Sequence, residues 1–439
     1  MNKLFFFSIS LCLMIVQVAA QDLYVSAATG NNRNTGTKES PFKNLQKAID
    51  AAANGATIYV AEGNYYGLLD KGNIDITKPV KIMGGYSSDF TSRDVLRYLT
   101  MIQPTPESNG SASGQGTMNI SVKTPGTVVV IDGLIFDRGN SISYNTRGEG
   151  KPDGVECPMM NEIGMAGIGG PDLTTQNVLT KQTSTLFLAN PMCDLVIHNC
   201  AFINSPYYGI IGGWGGKKAE ITNNIFIGCR FAAVEIRGSM ANAPGDVFFS
   251  YNTVLFTWSR LKDYGDMGYG YRYMPGAHHY VTNNIIGLSI FSGLDRGHSD
   301  SNKAVEASRI TTAENNIFFL NKQADLTLPG GGMGLRVWVG DFEDVDQLNE
   351  AGGNKSLTDP IVFKGVINEP YLNGFLAASY KETTSVDPNS PANTFRQAMG
   401  MNMTGTMKSS STMFANRYPW KEALKFFGAM SGYGAQSIQ

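Results

Sequence analysis

Residues 207–238 read YYGIIGGWGGKKAEITNNIFIGCRFAAVEIRG. Two short apolar stretches, around Ile210-Ile211 and Ile221, run into the turn pair Asn223-Asn224. Ile225-Phe226-Ile227 and Val234-Glu235-Ile236-Arg237-Gly238 follow. Strands this short cannot bury themselves alone, so they must stack on copies of themselves. Near-copies lie on both sides: VIHNCAFINS (196–205), EITNNIFIGC (220–229), FFSYNTVLFT (248–257), YVTNNIIGLS (280–289) and TTAENNIFFL (311–320). Each runs strand, Asn turn, apolar strand, with the Asn positions roughly 25 to 32 residues apart. That period indicates a solenoid, and the lack of sustained 3.6-residue periodicity argues against a helical one. Asn tolerates a left-handed turn and can bond its amide to the Asn one coil away. This column is structural and receives no catalytic role.

Composition agrees with an all-β chain. Of 439 residues, 50 are Gly and 18 Pro, and only 16% are charged, which suits a secreted β protein better than a helical cytosolic one. The formal net charge of −2 gives no global field for nucleic acid or a membrane surface, so an anionic ligand must meet a local basic patch. Residues 1–20 read as a cleavable signal peptide: Lys3, an apolar run from Leu4 to Val18, then Val18-Ala19-Ala20 before Gln21. A secreted or periplasmic monomer is expected. Cys157, Cys193, Cys200 and Cys229 show no metal-type spacing; buried packing is expected for Cys200 and Cys229, and one disulfide stays open.

After a strand at Asp22–Val25 comes a polar loop and then a helix that starts at Ser40-Pro41, with Phe42, Leu45, Ala48, Ile49 and Ala52 on one face and Gly55 at its end. This stretch resembles the N-terminal cap of right-handed parallel β-helix proteins. Such a helix covers the exposed end of a solenoid. The resemblance implies a right-handed parallel β-helix over 21–365, with 366–439 lying along its side or capping it. Within that tail, 387–398 and 420–427 look helical. Strands are expected at 335–339, a final coil at 356–363, and a long projecting loop over 138–184 that builds a groove wall.

Cations concentrate between 217 and 296: Lys217, Lys218, Arg230, Arg237, Arg260, Lys262, Arg272 and Arg296. Aromatic residues interleave with them, including Tyr208, Trp214, Tyr264 and Tyr271, and His278 and His279 close the Tyr-rich stretch 263–280. Rings stack on sugar faces and cations pair with carboxylates, so the pattern describes a groove for an acidic polysaccharide. Lys217, followed by an outward Arg237-Gly238, resembles the pattern of β-helix polysaccharide lyases that act on alginate, glucuronan and chondroitin or dermatan. The resemblance implies Lys217, or Lys218, as the base that removes the carbon-5 proton of a uronic acid, with Arg237 as acid or carboxylate clamp. The sequence departs from the pattern in having no His after Arg237-Gly238; His298 follows Arg296-Gly297 instead. Tyr208, Arg296 and His298 complete the expected catalytic set. Arg260, Lys262, Tyr264, Tyr271, Arg272, Trp214, His278 and His279 are the expected substrate contacts. No cofactor is expected, and no acidic cluster suits calcium. Two rivals stay open: a glycoside hydrolase drawing on Asp263, Asp266 and Asp295, and a glycan-binding adhesin. The lyase reading requires Lys217, Arg237 and Arg296 to share one outer wall.

Overall fold

The computed structural model describes residues 21–68, 72–103, 116–137, 142–145, 177–180, 184–239, 244–259, 268–299, 303–330, 334–379, 387–401 and 417–438. The expected signal peptide, Cys157, Arg260, Lys262, Tyr264, Asp263 and Asp266 lie outside them, as does most of the stretch 138–184. Of that stretch, Ile142–Asn145 pairs antiparallel with Asn177–Thr180.

The chain is a right-handed parallel β-helix of three sheets, each nine strands long. Every coil contributes one strand to each sheet. Lys218–Thr222 lies in the first sheet, Ile225–Ile227 in the third and Ala232–Gly238 in the second. Successive strands are in register, as in Leu195↔Ala219↔Val247 and Phe202↔Phe226↔Val254. The core is filled coil by coil, and Phe136, Phe202 and Phe226 stack face to face at 5.0 and 4.7 Å.

Burial differs between the sheets, and this explains their sequence patterns. First-sheet strands alternate, as in Asp194–His198, because their outer face meets water. Third-sheet strands are apolar triplets, such as Ile225–Ile227 and Ile317–Phe319, because both faces are covered. Phe226 and Phe318 face the core, while Ile225, Ile227, Ile317 and Phe319 meet the C-terminal segment through Phe363, Leu372, Phe375 and Phe426. That segment holds a helix the sequence pattern does not announce, Glu369–Ser379, besides Pro391–Ala398 and Trp420–Ala423. The expected final coil at 356–363 is instead a two-residue strand, Lys355–Ser356, followed by a 3-10 turn at Pro360–Phe363. Pro360 has no N–H to donate to a ladder. At the N-terminal end the helix is shorter than expected, Leu45–Ala51, with Leu45, Ala48 and Ile49 buried against the first coils. Among the described residues no helix is long and apolar enough to cross a membrane.

The Asn pairs divide their work. The first member takes the left-handed conformation: Asn199 (φ 53°), Asn223 (59°), Asn283 (58°) and Asn315 (52°), with Tyr251 (54°) in the same place. The second member is buried and forms the ladder. Asn224, Asn252 and Asn284 each receive a backbone N–H from the coil before and send an amide N–H to the Asn of the coil after, and Asn316 and Asn354 continue the run. Cys193, Cys200 and Cys229 are free and buried, and burial pushes the Cys200 thiol up to about 12.

Replacing Asn284 with Leu strips four side-chain hydrogen bonds from a fully buried site. It should cost about 2–5 kcal/mol by urea unfolding, since each orphaned buried group costs roughly 1–3 kcal/mol. Asn283→Gly, at a left-handed position, should change stability by less than about 0.5 kcal/mol.

Candidate active site

The second sheet carries the polar column. Its strands pair Ile211↔Glu235↔Arg272↔Asp295↔Thr327, one residue per coil, all on the outward side. Inward neighbours Ile210, Val234, Tyr271 and Leu294 fill the core. Three residues far apart in sequence thus stand in a row, spaced by the inter-strand distance of about 4.8 Å.

Arg272 ties the row together. Its Nε donates to Asp295 at 2.8 Å, Nη1 to Glu235 at 2.6 Å and Nη2 to Nε2 of His298 at 2.5 Å. The guanidinium lies 4.5 Å over the Tyr269 ring and 5.4 Å from Phe231. Glu235 and Asp295 are each 3% exposed and Arg272 7%, so these charges are held out of water by one another and by the Tyr208–Tyr269–Phe291 cluster. Asp295 is fully engaged: it also accepts from Thr327 Oγ1 at 2.8 Å and from the Gly297 N–H at 3.0 Å. Glu235 also accepts from the exposed Arg237 at 3.3 Å, and its charge acts on the nearby Tyr208 hydroxyl. A guanidinium only donates, so His298 accepts on Nε2 and is a neutral imidazole with its proton on Nδ1. Burial, and then the Arg272 charge, push its pKa below the ordinary value. Burial and the Glu235 charge push the Tyr208 hydroxyl up. Beside this row opens a cavity of about 190 Å³ lined by Tyr269, Arg272, Asp295 and His298.

The expected site residues fall into four groups. Tyr208, Arg237, Arg272 and His298 meet at this column. Lys217, Lys218 and His278 do not. Lys218 and His278 sit on the outer face of the first sheet, in register through Asp246, and Lys217 stands at the corner before them. Lys218 pairs with Glu220, which raises its pKa, the opposite of what a neutral base requires. The Lys217 and Lys218 amides are held by Asp194, and His278 accepts the Ile310 N–H.

Trp214, Tyr271, His279 and Arg296 face inward. Trp214 donates to the Cys193 carbonyl, and Tyr271 bonds His279 Nδ1 at 2.7 Å inside the core. Arg296 follows Asp295 and so takes the opposite side of the strand. It turns in to Glu306 at 2.5 Å and the His298 carbonyl at 2.7 Å. The common wall of Lys217, Arg237 and Arg296 is therefore not formed. Arg260, Lys262 and Tyr264 lie outside the described residues.

Two members of the column, Glu235 and Asp295, were not in the expected catalytic set. The signal was present as one charged residue between two apolar or aromatic ones in VEI and YRY, and as a charge directly after the apolar Leu294 in LDR. Setting Arg296 on the face of Arg237, when it is Asp295 that stands in line with Glu235, displaced the register by one residue, which reverses the face.

A family described as "Protein of unknown function (DUF1565)" matches residues 28–118, the cap and first coils, and stops short of the column. The uncharacterized protein YwoF of Bacillus subtilis (strain 168) is 48% identical over 48 residues; the chain spans about a tenth (10%) of that protein's length. Among solved structures, a pectin methylesterase from Aspergillus niger aligns over 76% of this chain and 90% of its own, at 16% identity and TM-score 0.30. A rhamnogalacturonan lyase aligns over 69% and 75%, at 11% identity and TM-score 0.28.

Removing Arg272 leaves two carboxylates facing each other without water. Arg272→Ala should destabilise by about 3–5 kcal/mol in urea. Doubling it with Glu235→Gln should recover part of the loss. A second prediction concerns His279. Burial, then Arg309, pushes its pKa to about 3. The unfolded chain takes up this proton near pH 6.5 while the folded one does not, so stability falls as pH drops from 6.5 toward 3. Up to about 4–5 kcal/mol is at stake, and His279→Gln should flatten that part of the stability–pH curve.

Proposed function

We propose that the protein is an exported enzyme that cleaves a polysaccharide lying along the outward column of the second sheet, by acid–base chemistry on Glu235 and Asp295. The observation that carries this is the pair of buried carboxylates two coils apart, flanked by aromatic rings, of which Asp295 lines a sugar-sized cavity. Hydrolysis of a glycosidic bond needs two carboxyl groups, one to give a proton to the leaving oxygen and one to activate water or attack. Asp295, which accepts three hydrogen bonds, is the fixed carboxylate. Glu235, at the side of the row where Arg237 is exposed, is the group assigned to exchange a proton. Tyr269 and Phe291 line the cavity and give it an apolar side against which a sugar ring can pack. Arg272 holds both carboxylates in line and is a positioning residue.

A second reading is β-elimination from a uronate polymer such as alginate or glucuronan. One feature favours it: Arg237 stands exposed beside the row, a cation open to a uronate carboxylate. Against it, Arg272 is already bonded to two carboxylates, so the column as a whole offers little net positive charge to a uronate.

The chemistries separate on one panel: alginate, polyglucuronate, pectate, chondroitin, xylan and mixed-linkage glucan, followed by new reducing ends and by ultraviolet absorbance of an unsaturated uronate. The hydrolase reading predicts reducing ends without absorbance. Glu235→Gln and Asp295→Asn should each lower kcat about 10²–10⁴-fold. Lys217→Ala should stay within about twofold, because that side chain is not at the column. Absorbance that rises with the reducing ends supports elimination, and no cleavage of any polymer contradicts both.

A further inference from the structure

A second cavity lies at the last corner between the third and second sheets, and it shares no lining residue with the one beside Asp295. It measures about 370 Å³, against about 190 Å³ there, and falls in the range of about 300–1,000 Å³ usual for small-molecule sites. It exists because a rung is missing. In earlier coils the residue that follows each third-sheet strand is covered: Phe256 packs on Tyr371, Phe375 and Tyr418, and Leu288 is fully buried. At the last coil Lys355–Ser356 is followed by the turn Pro360–Phe363 and, among the described residues, by no further strand of the second sheet. The corner at Leu320-Asn321 therefore stays open, with the helix Pro391–Ala398 as its far wall.

Trp338 stands at this opening. It is 50% exposed, whereas Trp214 and Trp258 are fully buried. The backbone beneath it is pinned. Asp325, itself 6% exposed, accepts the Val339 N–H at 3.2 Å and the Asn321 amide at 2.9 Å, and the Trp338 carbonyl accepts the Asp341 N–H at 2.9 Å. A carboxylate has about four acceptor sites, so Asp325 keeps capacity for a ligand. Phe319 stacked on Phe395 at 5.6 Å gives the cavity an apolar floor. The polar part of the lining carries both signs: Asp325 and Lys322 are one charge of each, and Ser356, Thr358 and Thr394 add hydroxyls. An ion of either sign would meet a like charge there. The lining suits a neutral ligand rich in hydroxyls, with an apolar face to lay on the Trp338 ring.

We infer that this cavity is a second, non-catalytic carbohydrate site, which takes neutral sugar residues against Trp338. This rests on the reading that the chain meets a polysaccharide, but not on which bond is cleaved. The two sites are neighbours. Asp325 and Thr327 are two residues apart on one strand, Ala324–Leu328, and Thr327 is bonded to Asp295. The cavity therefore adjoins the column without sharing its acids. A polymer held at Trp338 is kept at high local concentration beside Glu235 and Asp295.

The test uses the whole chain and titration calorimetry. The probes are neutral oligosaccharides from xylan, mixed-linkage glucan, mannan and galactan, and charged ones from alginate and polyglucuronate. The expected result is saturable binding of a neutral fragment, weakened about tenfold or more in Trp338→Ala. Ala398→Phe, which fills the cavity from the helix and leaves Trp338 in place, should weaken it likewise. Glu235→Gln, at the column, should keep it. Binding that survives Trp338→Ala and Ala398→Phe but is lost in Glu235→Gln puts the sugar in the column alone; this overturns the second site and leaves the proposed function standing. Tighter binding of charged fragments, or no binding of any, also overturns the second site, while cleavage of a polymer would still uphold the function. Self-association of the chain that Trp338→Ala abolishes gives the ring to a second copy and overturns the inference too. Binding lost in Trp338→Ala with no polymer cleaved upholds the second site, and the cleavage reading then fails alone.

Discussion

Each coil turns a buried corner, and the backbone N–H at that corner has no water to bond. The Asn ladder meets that need: the side chain at one coil accepts the N–H of the coil before it. An Asn that serves its neighbour in this way cannot shift by a residue without leaving two amides unsatisfied. The ladder therefore fixes the register of every strand between Cys200 and Asn354. Register is what matters for function, because outward and inward residues alternate along a strand and a slip of one exchanges them. Glu235, Arg272 and Asp295 form a row because the Asn residues one corner away do.

The row is costly to build. Two carboxylates and a guanidinium are withdrawn from water, and their mutual attraction offsets that loss only with good geometry. The solenoid supplies it without folding a loop around the site. Strand spacing sets the separation, the pleat sets the direction, and Tyr208, Phe231 and Tyr269 close the sides. The neutral His298 completes the guanidinium's partners. The third sheet and its covering C-terminal segment take no part in this. They exclude water from the opposite side, as the apolar triplets show.

Much of the architecture could be read from residues alone. The repeated Asn pairs announce the coils, and the apolar face of 42–52 announces the cap. The ladder's division between a left-handed Asn and a buried Asn was less visible, since both members are the same residue type. The site was legible only in part. Lys217 and Lys218 look like a basic pair, yet they begin a first-sheet strand after the corner and look out from another side. Trp214, Tyr271 and His279 have polar groups that suit a ligand equally well as the Cys193 carbonyl or each other. Residue type does not reveal which face a strand position takes, and the distance from one coil to the next varies with the outer loops. Counting inward from the Asn pair at each coil, instead of matching Arg-Gly to Arg-Gly, would have set Asp295 in line with Glu235.

The central claim is that register places Glu235 and Asp295 on either side of one guanidinium, although neither touches the other in sequence. A double-mutant cycle with Glu235→Gln and Asp295→Asn, read by urea unfolding, tests it most directly. Residues that share a partner couple by about 0.5–3 kcal/mol, and that is the result predicted. Strict additivity, within about 0.3 kcal/mol, would mean the two carboxylates do not meet at Arg272 and would contradict the account.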